Sequence, residues 1–315
     1  MALPSSRNTA AASDPAPGPA TAAGASERIR DLGVPVHYAV WDGPDQRTFV
    51  LVHGLGGSHV NWLRVAPDLS SWGRTIAVDL AGFGRTPRGD RGASLPENRR
   101  LLSAFLAEVG TGELLLAGNS MGGGIALLQA AFEPGSVAGV IATSSIWPPL
   151  WTALPSPVVA GAFLAYRGRG TGAWMMKQRF EGMSSEQLVR LGFRLTTNDP
   201  ERIPEDIVQA QIEVAEVHRR DPGAPAAFLD AARSIQRLYD RRRRFRAALD
   251  DIACPVLVVH GRDDRFVPAA SAERAWLDHP DWSLRILNDC GHVPQLEAPE
   301  RWLTAVEDWL EDRKL

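Results

Sequence analysis

The sequence predicts an α/β protein built on an open, mostly parallel sheet with helices on both faces. Three observations lead there. Short runs of Val, Leu and Ile, apolar at every position and not only at alternate ones, recur along the chain, as strands covered on both faces require. Stretches of helical periodicity separate those runs, and this β-then-α alternation supplies the crossovers that parallel strands need. The alternation stops once, over residues 146–247, where Pro pairs, Trp residues and polar amphipathic stretches replace strand-like runs. That segment reads as an inserted helical cap over the C-terminal edge of the sheet, where open α/β sheets bind ligands.

Taken in order, the first 26 residues are a different material. Twenty-one of them are Ala, Pro, Ser, Gly or Thr, and Met1 and Leu3 are the only large apolar side chains. They are expected to form a disordered leader, because they have almost nothing to bury against the cost of ordering the chain. With no apolar signal core and no twin arginine, the expected location is cytoplasmic. The core then takes residues 27–145 and 248–315. Residues 37–41 are expected to belong to an antiparallel edge. Residues 48–53 (TFVLVH), 74–79 (RTIAVD), 113–118 (ELLLAG), 137–142 (VAGVIA), 255–260 (PVLVVH) and 283–287 (SLRIL) read as further strands. Helices are expected over 97–109, 122–132, 269–277 and 299–310, the last with Trp302, Val306, Trp309 and Leu310 on one stripe.

Charge and composition exclude several classes. Lys plus Arg is 34 and Asp plus Glu is 37, a formal net charge of -3, which gives no global field to hold nucleic acid or an anionic membrane. The run of arginines at 241–244 and 246 reads as a solvated helix face. No apolar run approaches the roughly 18 residues of a spanning helix. Two cysteines, Cys254 and Cys290, cannot build a disulfide framework or a paired Cys/His zinc site, which suits a reducing compartment. The stretch Gly168-Arg169-Gly170-Thr171-Gly172 lacks the strand that a phosphate loop follows. No cofactor or metal is implied, and the expected partner is a small-molecule substrate, with the protein a monomer or homodimer.

Chemistry concentrates in a few short segments. Gly118-Asn119-Ser120-Met121-Gly122 follows a strand and opens a helix, where a nucleophile on a sharp turn needs small residues two before and two after it. A serine hydroxyl attacks only when a base takes its proton and a third group orients that base. His292 lies in a turn between the last expected strand and the final helix. Asp264 follows the strand before that, with Asp263 beside it. The order Ser, Asp, His is the one expected on such a sheet.

HGLGGS (53–58), DLAGFGRT (79–86), GNSMGG (118–123), HGRDDRFVP (260–268) and CGHVPQLEAPE (290–300) resemble, in order and context, the α/β-hydrolase family. The resemblance implies an eight-stranded, mostly parallel sheet with a helical cap. It makes Ser120 the nucleophile, His292 the base and Asp264, in preference to Asp263, the orienting acid. It puts the oxyanion hole at the backbone N–H groups of Leu55 and Met121, with His53 orienting the loop. Substrate contacts are expected from His53, Gly54, Asn119, Trp147 and Val293, and further apolar walls from Trp151, Phe163 and Trp174. His260 is expected to pack at a strand end, and His37, His59, His218 and His279 to be structural or solvated.

The expected activity is cofactor-independent hydrolysis of an ester or lactone bond in a small, mostly apolar substrate. The same motifs also resemble the hydrolases of aromatic-ring meta-cleavage products, which cut a carbon–carbon bond in dienoates. Those enzymes carry a cap arginine for the substrate carboxylate and commonly a Trp directly after the catalytic His. Here Gln211 stands at the aligned cap position and Val293 follows His292, which favours the ester. A perhydrolase or lyase on this fold would keep the same triad. A non-enzymatic binding module, as in the hormone-receptor relatives of the fold, is disfavoured because no triad position is lost.

Overall fold

A computed structural model describes residues 18–315. Eight strands make one sheet: β1 (Ser26–Asp31), β2 (Pro35–Trp41), β3 (Arg47–Val52), β4 (Arg74–Val78), β5 (Glu113–Asn119), β6 (Gly139–Thr143), β7 (Val256–Gly261) and β8 (Ser283–Leu287). Their spatial order is β1-β2-β4-β3-β5-β6-β7-β8. β2 runs antiparallel to both its neighbours and every other pairing is parallel. All residues of β6 and β7 are buried, which is why those strands are apolar but for Thr143 and His260 near their C-terminal ends. In register, Val52 sits beside Gly118 and Asn119 beside Thr143, so the loops after β3, β5 and β6 leave the sheet at one edge.

Four helices precede β6: α1 (Pro19–Ala22), α2 (Ala66–Leu69), α3 (Leu95–Val109) and α4 (Met121–Phe132). Between β6 and β7 come α5 (Pro157–Arg167), α6 (Arg169–Gly182), α7 (Ser185–Thr196), α8 (Glu205–Arg219), α9 (Ala224–Asp240) and α10 (Arg242–Asp250). The chain closes with α11 (Ala269–Asp278), α12 (Pro294–Glu297) and α13 (Pro299–Arg313). α3 begins two residues before the expected 97 because Ser94 and Glu97 form a capping box, the Ser94 N–H donating to Glu97 Oε2 at 3.2 Å.

Two apolar layers sandwich the sheet. One holds Phe105, Ile125, Ile235 and Leu249, from α3, α4, α9 and α10. The other holds Trp62, Phe193, Val214, Trp302 and Trp309, from the 3-10 turn His59–Trp62 and α7, α8 and α13. The helical segment thus extends both layers. Its own small cluster of Tyr166, Met176, Leu229 and Ala232 touches Leu55 and Phe228.

At the N-terminus one strand was missed and one expectation is corrected. Residues 37–41 do belong to the antiparallel edge, as β2, but the outermost strand there is β1. Its sequence SERIRD has no apolar run, and its charges suit an edge that must not recruit another chain. The disordered leader expected over 1–26 falls partly outside the described residues, but residues 18–26 are folded. Ala20 of α1 is fully buried, the Ala20 and Thr21 N–H groups donate to the Glu27 carboxylate at 3.1 and 3.3 Å, and Trp41 Nε1 donates to the Ala23 carbonyl at 2.8 Å. Small side chains, read from composition as having nothing to bury, are what let α1 lie close against α8 and the 3-10 turn.

Candidate active site

Ser120 sits between the end of β5 and α4 at φ 54°, ψ -114°, a left-handed conformation that a non-glycine residue holds only under constraint. The turn is that tight because its two flanking positions carry no side chain. A Cβ on Gly118 would lie 2.3 Å from the Gly122 carbonyl oxygen, and one on Gly122 would lie 2.2 Å from that of Val52. Backbone bonds hold the turn on both sides: Ser120 N–H donates to Thr143 O at 3.0 Å, and Ile146 N–H to Ser120 O at 3.2 Å. Met121 opens α4, so its N–H has no carbonyl within the helix to bond.

The loop after β3 packs directly on this turn. A Cβ built on Gly54 would lie 3.2 Å from Ser120 Cβ. His53 is fully buried and bonds through both ring nitrogens: Nδ1–H donates to Gly54 O at 2.7 Å, and Nε2 accepts the Leu80 N–H at 3.0 Å. A carbonyl can only accept and an amide can only donate, so the ring is the neutral Nδ1–H tautomer. Burial agrees, pushing its pKa down and outweighing the pull of the Asp79 charge and the Gly54 bond. Because a trans peptide points its C=O and N–H in opposite directions, fixing Gly54 O also aims the Leu55 N–H.

His292 reaches the same place from the loop after β8. Its Nδ1–H donates to Asp264 Oδ2 at 2.7 Å, its ring stacks on Phe266 with centroids 4.9 Å apart, and its carbonyl accepts the Asn119 amide at 3.0 Å. Asp264 is buried and accepts the N–H groups of Phe266 and Val267 on Oδ1 at 2.8 and 3.0 Å. Burial alone would raise its pKa, but the neighbouring imidazoles of His292 and His260 hold it far below the usual carboxylate range. Asp263 is exposed, and only its backbone joins in, donating to Cys290 O at 2.9 Å. In the helical segment, burial, and then the Asp264 charge, push the Tyr239 phenol above its usual range.

The geometry reassigns several expected residues. Asn119, expected to meet substrate, donates to the carbonyls of Thr143 and His292 and ties the serine turn to the histidine loop. Trp147 is buried in the first apolar layer against Trp282, and Val293 is buried in the second as the N-cap of α12. Trp151 and Trp174 face solvent, while Phe163 packs edge-on against Tyr166. Gln211 is half-buried on α8, the helix packed against the 3-10 turn. Sequence reading missed Phe228, whose ring lies 3.2 Å from a Cβ built on Gly56 and beneath the Arg179 guanidinium at 5.2 Å.

It also missed two positioning groups. His260, expected as packing, donates Nε2–H to Val267 O at 2.8 Å with Asp264 Oδ2 3.3 Å from the same nitrogen. Glu297 accepts Gly291 N–H at 2.6 Å and the N–H groups of Asn198 and Asp199 at 2.8 Å each, joining the histidine loop to the helical segment. The signal for Glu297 was present in the motif CGHVPQLE, as an acid five positions after the histidine.

Among the described residues, one donor set has metal-like spacing: Glu27, His37 and His59, with ligand atoms within 4.8 Å of one another. Hydrogen bonds engage all three residues, though His59 Nε2 is buried without a partner. His37 bonds Glu27 through Nε2 and Asp79 through Nδ1, both at 2.9 Å, His59 Nδ1 bonds Asp79 at 3.0 Å, and Arg85 pairs with Glu27. His218 stacks on Phe83, and His279 on Trp282, so both are structural.

A family model described as "Alpha/beta hydrolase family" matches residues 49–305. Over 290 residues the chain is 28% identical to the dihydrolipoyllysine-residue acetyltransferase component of the acetoin cleaving system of Pseudomonas putida, covering 92% of this chain and 68% of that protein. Over 275 residues it is 26% identical to the 2-hydroxy-6-oxononadienedioate/2-hydroxy-6-oxononatrienedioate hydrolase of Cupriavidus pinatubonensis, covering 85% and 88%. The fold is shared with a candidate lipase (lip1) of Acinetobacter baumannii AYE, at a TM-score of 0.74 and 24% identity over 93% of each chain.

Proposed function

Since the chain belongs to the alpha/beta hydrolase family, we propose that it is a serine hydrolase cleaving an ester or lactone bond of a small, mostly apolar substrate. Ser120 Oγ attacks the carbonyl carbon while His292 Nε2 takes its proton, and Asp264 holds the resulting imidazolium through Nδ1–H. The Leu55 and Met121 N–H groups stabilise the oxyanion. His292 returns the proton to the leaving alkoxide oxygen, giving an acyl-enzyme. Water then attacks the acyl carbon, losing a proton to His292, which passes it to Ser120 Oγ as the acid leaves.

The observation that carries this reading is one linked unit: the constrained turn of Ser120, Gly54 packed on its Cβ, and the His292–Asp264 pair tethered to it through Asn119. Residues 146–247 serve as the cap, and the contact of Leu55 and Phe228 with its Tyr166 cluster supports an apolar substrate. p-Nitrophenyl esters from acetate to decanoate, assayed beside a ring-cleavage dienoate, test the bond type. Ser120→Ala is expected to lower kcat about 10⁶-fold without unfolding the protein. Residual kcat within about tenfold of wild type would overturn the assignment.

One observation favours a second reading, cleavage of a carbon–carbon bond in a carboxylate substrate. Arg179 lies over Phe228, which rests on the oxyanion loop at Gly56, and a cation there suits a substrate carboxylate. The Cupriavidus relative is named for a dioate. Arg190 and Arg219 are engaged elsewhere, with Glu186 and Glu205 and with the carbonyls of Phe180 and Met183. If this reading holds, Arg179→Gln lowers kcat/KM for an ω-carboxylate ester and spares its neutral analogue. Equal effects on both remove the argument for it.

A further inference from the structure

An exposed helix face is ordinarily polar, and α5 reverses that rule. Pro157, Val158, Ala160, Gly161 and Leu164 are all exposed, Leu164 by 72%. The loop leading into α5 adds exposed Leu154 and Trp151, the latter 80% exposed. The junction of α9 and α10 is held beside this surface by two contacts. The Arg242 guanidinium lies 5.1 Å over the Trp151 ring, and Asp240 pairs with Arg167 at the end of α5 at 2.8 Å. From there Arg241, the N-cap of α10, and Arg243, Arg244 and Arg246 within it are all exposed, with no acid among positions 241–246. The chain as a whole carries -3, so this positive charge is a local concentration.

We propose that this face, the apolar side of α5 with Trp151 and the arginines of α10, docks on an anionic lipid surface. Aliphatic side chains with an indole at their margin and guanidinium groups alongside match the layering of a bilayer interface, where apolar groups enter the acyl boundary and cations meet phosphate. A second copy of the chain is the poorer occupant. A two-fold interface puts the same patch on both sides and so brings both arginine runs to one interface, with no acid at positions 241–246 of either to pair them. The loop also donates Ser156 N–H to Arg265 O at 2.9 Å, beside Asp264 and Phe266, so bound lipid lies next to the proposed catalytic residues. That last consequence rests on the hydrolase reading, whereas the docking does not.

The test is flotation of the full chain with vesicles of phosphatidylcholine alone and with one-third phosphatidylglycerol. The protein is expected to float with the anionic vesicles only, and to be released by sodium chloride. Arg243→Gln with Arg244→Gln should weaken partitioning roughly 25-fold, about fivefold for each charge lost near the surface. Trp151→Ser with Leu164→Ser should weaken it at least as much, and both pairs are exposed enough to leave the melting temperature unchanged. Absence of flotation with anionic vesicles at low salt overturns the proposal, as does wild-type flotation by both double variants. A dimer in sedimentation equilibrium that Trp151→Ser with Leu164→Ser abolishes would assign the face to a second copy and overturn it as well.

Discussion

Four donors surround the Asp264 carboxylate: two backbone amides on Oδ1, and His292 with His260 at Oδ2. With both backbone donors fixed on one oxygen, the other has no freedom to turn away from His292. Asp264→Asn puts an amide where His292 Nδ1–H must donate, which selects the wrong tautomer, and should lower kcat about 10⁴-fold. Asp263→Asn should leave kcat within about threefold, since only the Asp263 backbone is engaged. A reversed pair of results in steady-state kinetics would transfer the acid role. His260→Phe leaves the Val267 carbonyl unpaired and Asp264 with one donor fewer. About a tenfold loss of kcat at unchanged KM is expected, and unchanged kcat would reduce His260 to packing. Ser120 could be nominated from the sequence because its turn dictates small residues on either side, and Asp264 and His292 because their segments resemble those of the family. His260 was not, because nothing in an apolar strand says which neighbour its ring nitrogens meet. For Asn119 the partner is 173 positions away in the sequence.

At the scale of the element, α1 and β1 meet β2 and the loop after β4 through buried charge. Burial would raise the Glu27 pKa, but the bond to His37 and the charges of His59, His37 and Arg85 outweigh it and hold it at about 2. Burial likewise opposes charge on His37, but its bonds to Asp79 and Glu27 raise its pKa above 6.5. The lowered Glu27 contributes stability that is complete above its unfolded value of 4.5 and lost as pH falls toward 2. The raised His37 contributes stability that is complete below 6.5 and lost as pH rises through its folded value. Together they are fully stabilising between 4.5 and 6.5. The melting temperature should therefore fall from pH 6 to pH 9 by more in wild type than in His37→Gln, and parallel curves would refute the linkage. Deleting residues 1–26 strips Glu27 of its α1 donors and uncovers Trp41 Nε1, so it should lower the melting temperature, by roughly 2 °C for each kcal/mol lost. An unchanged melting temperature would show that α1 contributes nothing. Composition hid this element: a half-buried edge strand with alternating charges has no apolar run to detect, and alanine is read as loop filler until a neighbour is known.

Over the whole molecule, the mostly parallel sheet, the helices on both faces and the helical segment after β6 follow the alternation visible in the sequence, because each depends on periodicity within a few residues, whereas the strand order depends on long-range pairing. Contacts between that segment and the core depend on tertiary geometry, and these the sequence did not reveal. Glu297 joins Gly291 to Asn198 and Asp199, Arg202 pairs with Asp289, and Thr196 O accepts the His292 N–H at 2.6 Å. Glu297→Gln turns one of the two accepting oxygens into a donor. It should lower kcat about tenfold or more and slow labelling of Ser120 by a fluorophosphonate, with only a few degrees lost in melting temperature. Labelling at the wild-type rate would confine Glu297 to stability.

Because the amide of the proposed general base is bonded to the last turn of α7, the segment above the sheet is not an interchangeable module. Exchanging it for that of a relative, with every core residue left in place, would also exchange the carbonyl that seats His292. A working chimera would have to carry residues 196–202 and 289–297 from the same parent. Descent would feel the same constraint. Changes in these two stretches should arise in compensating pairs, and recombination between them should produce proteins that fold, keep their serine, and turn over slowly.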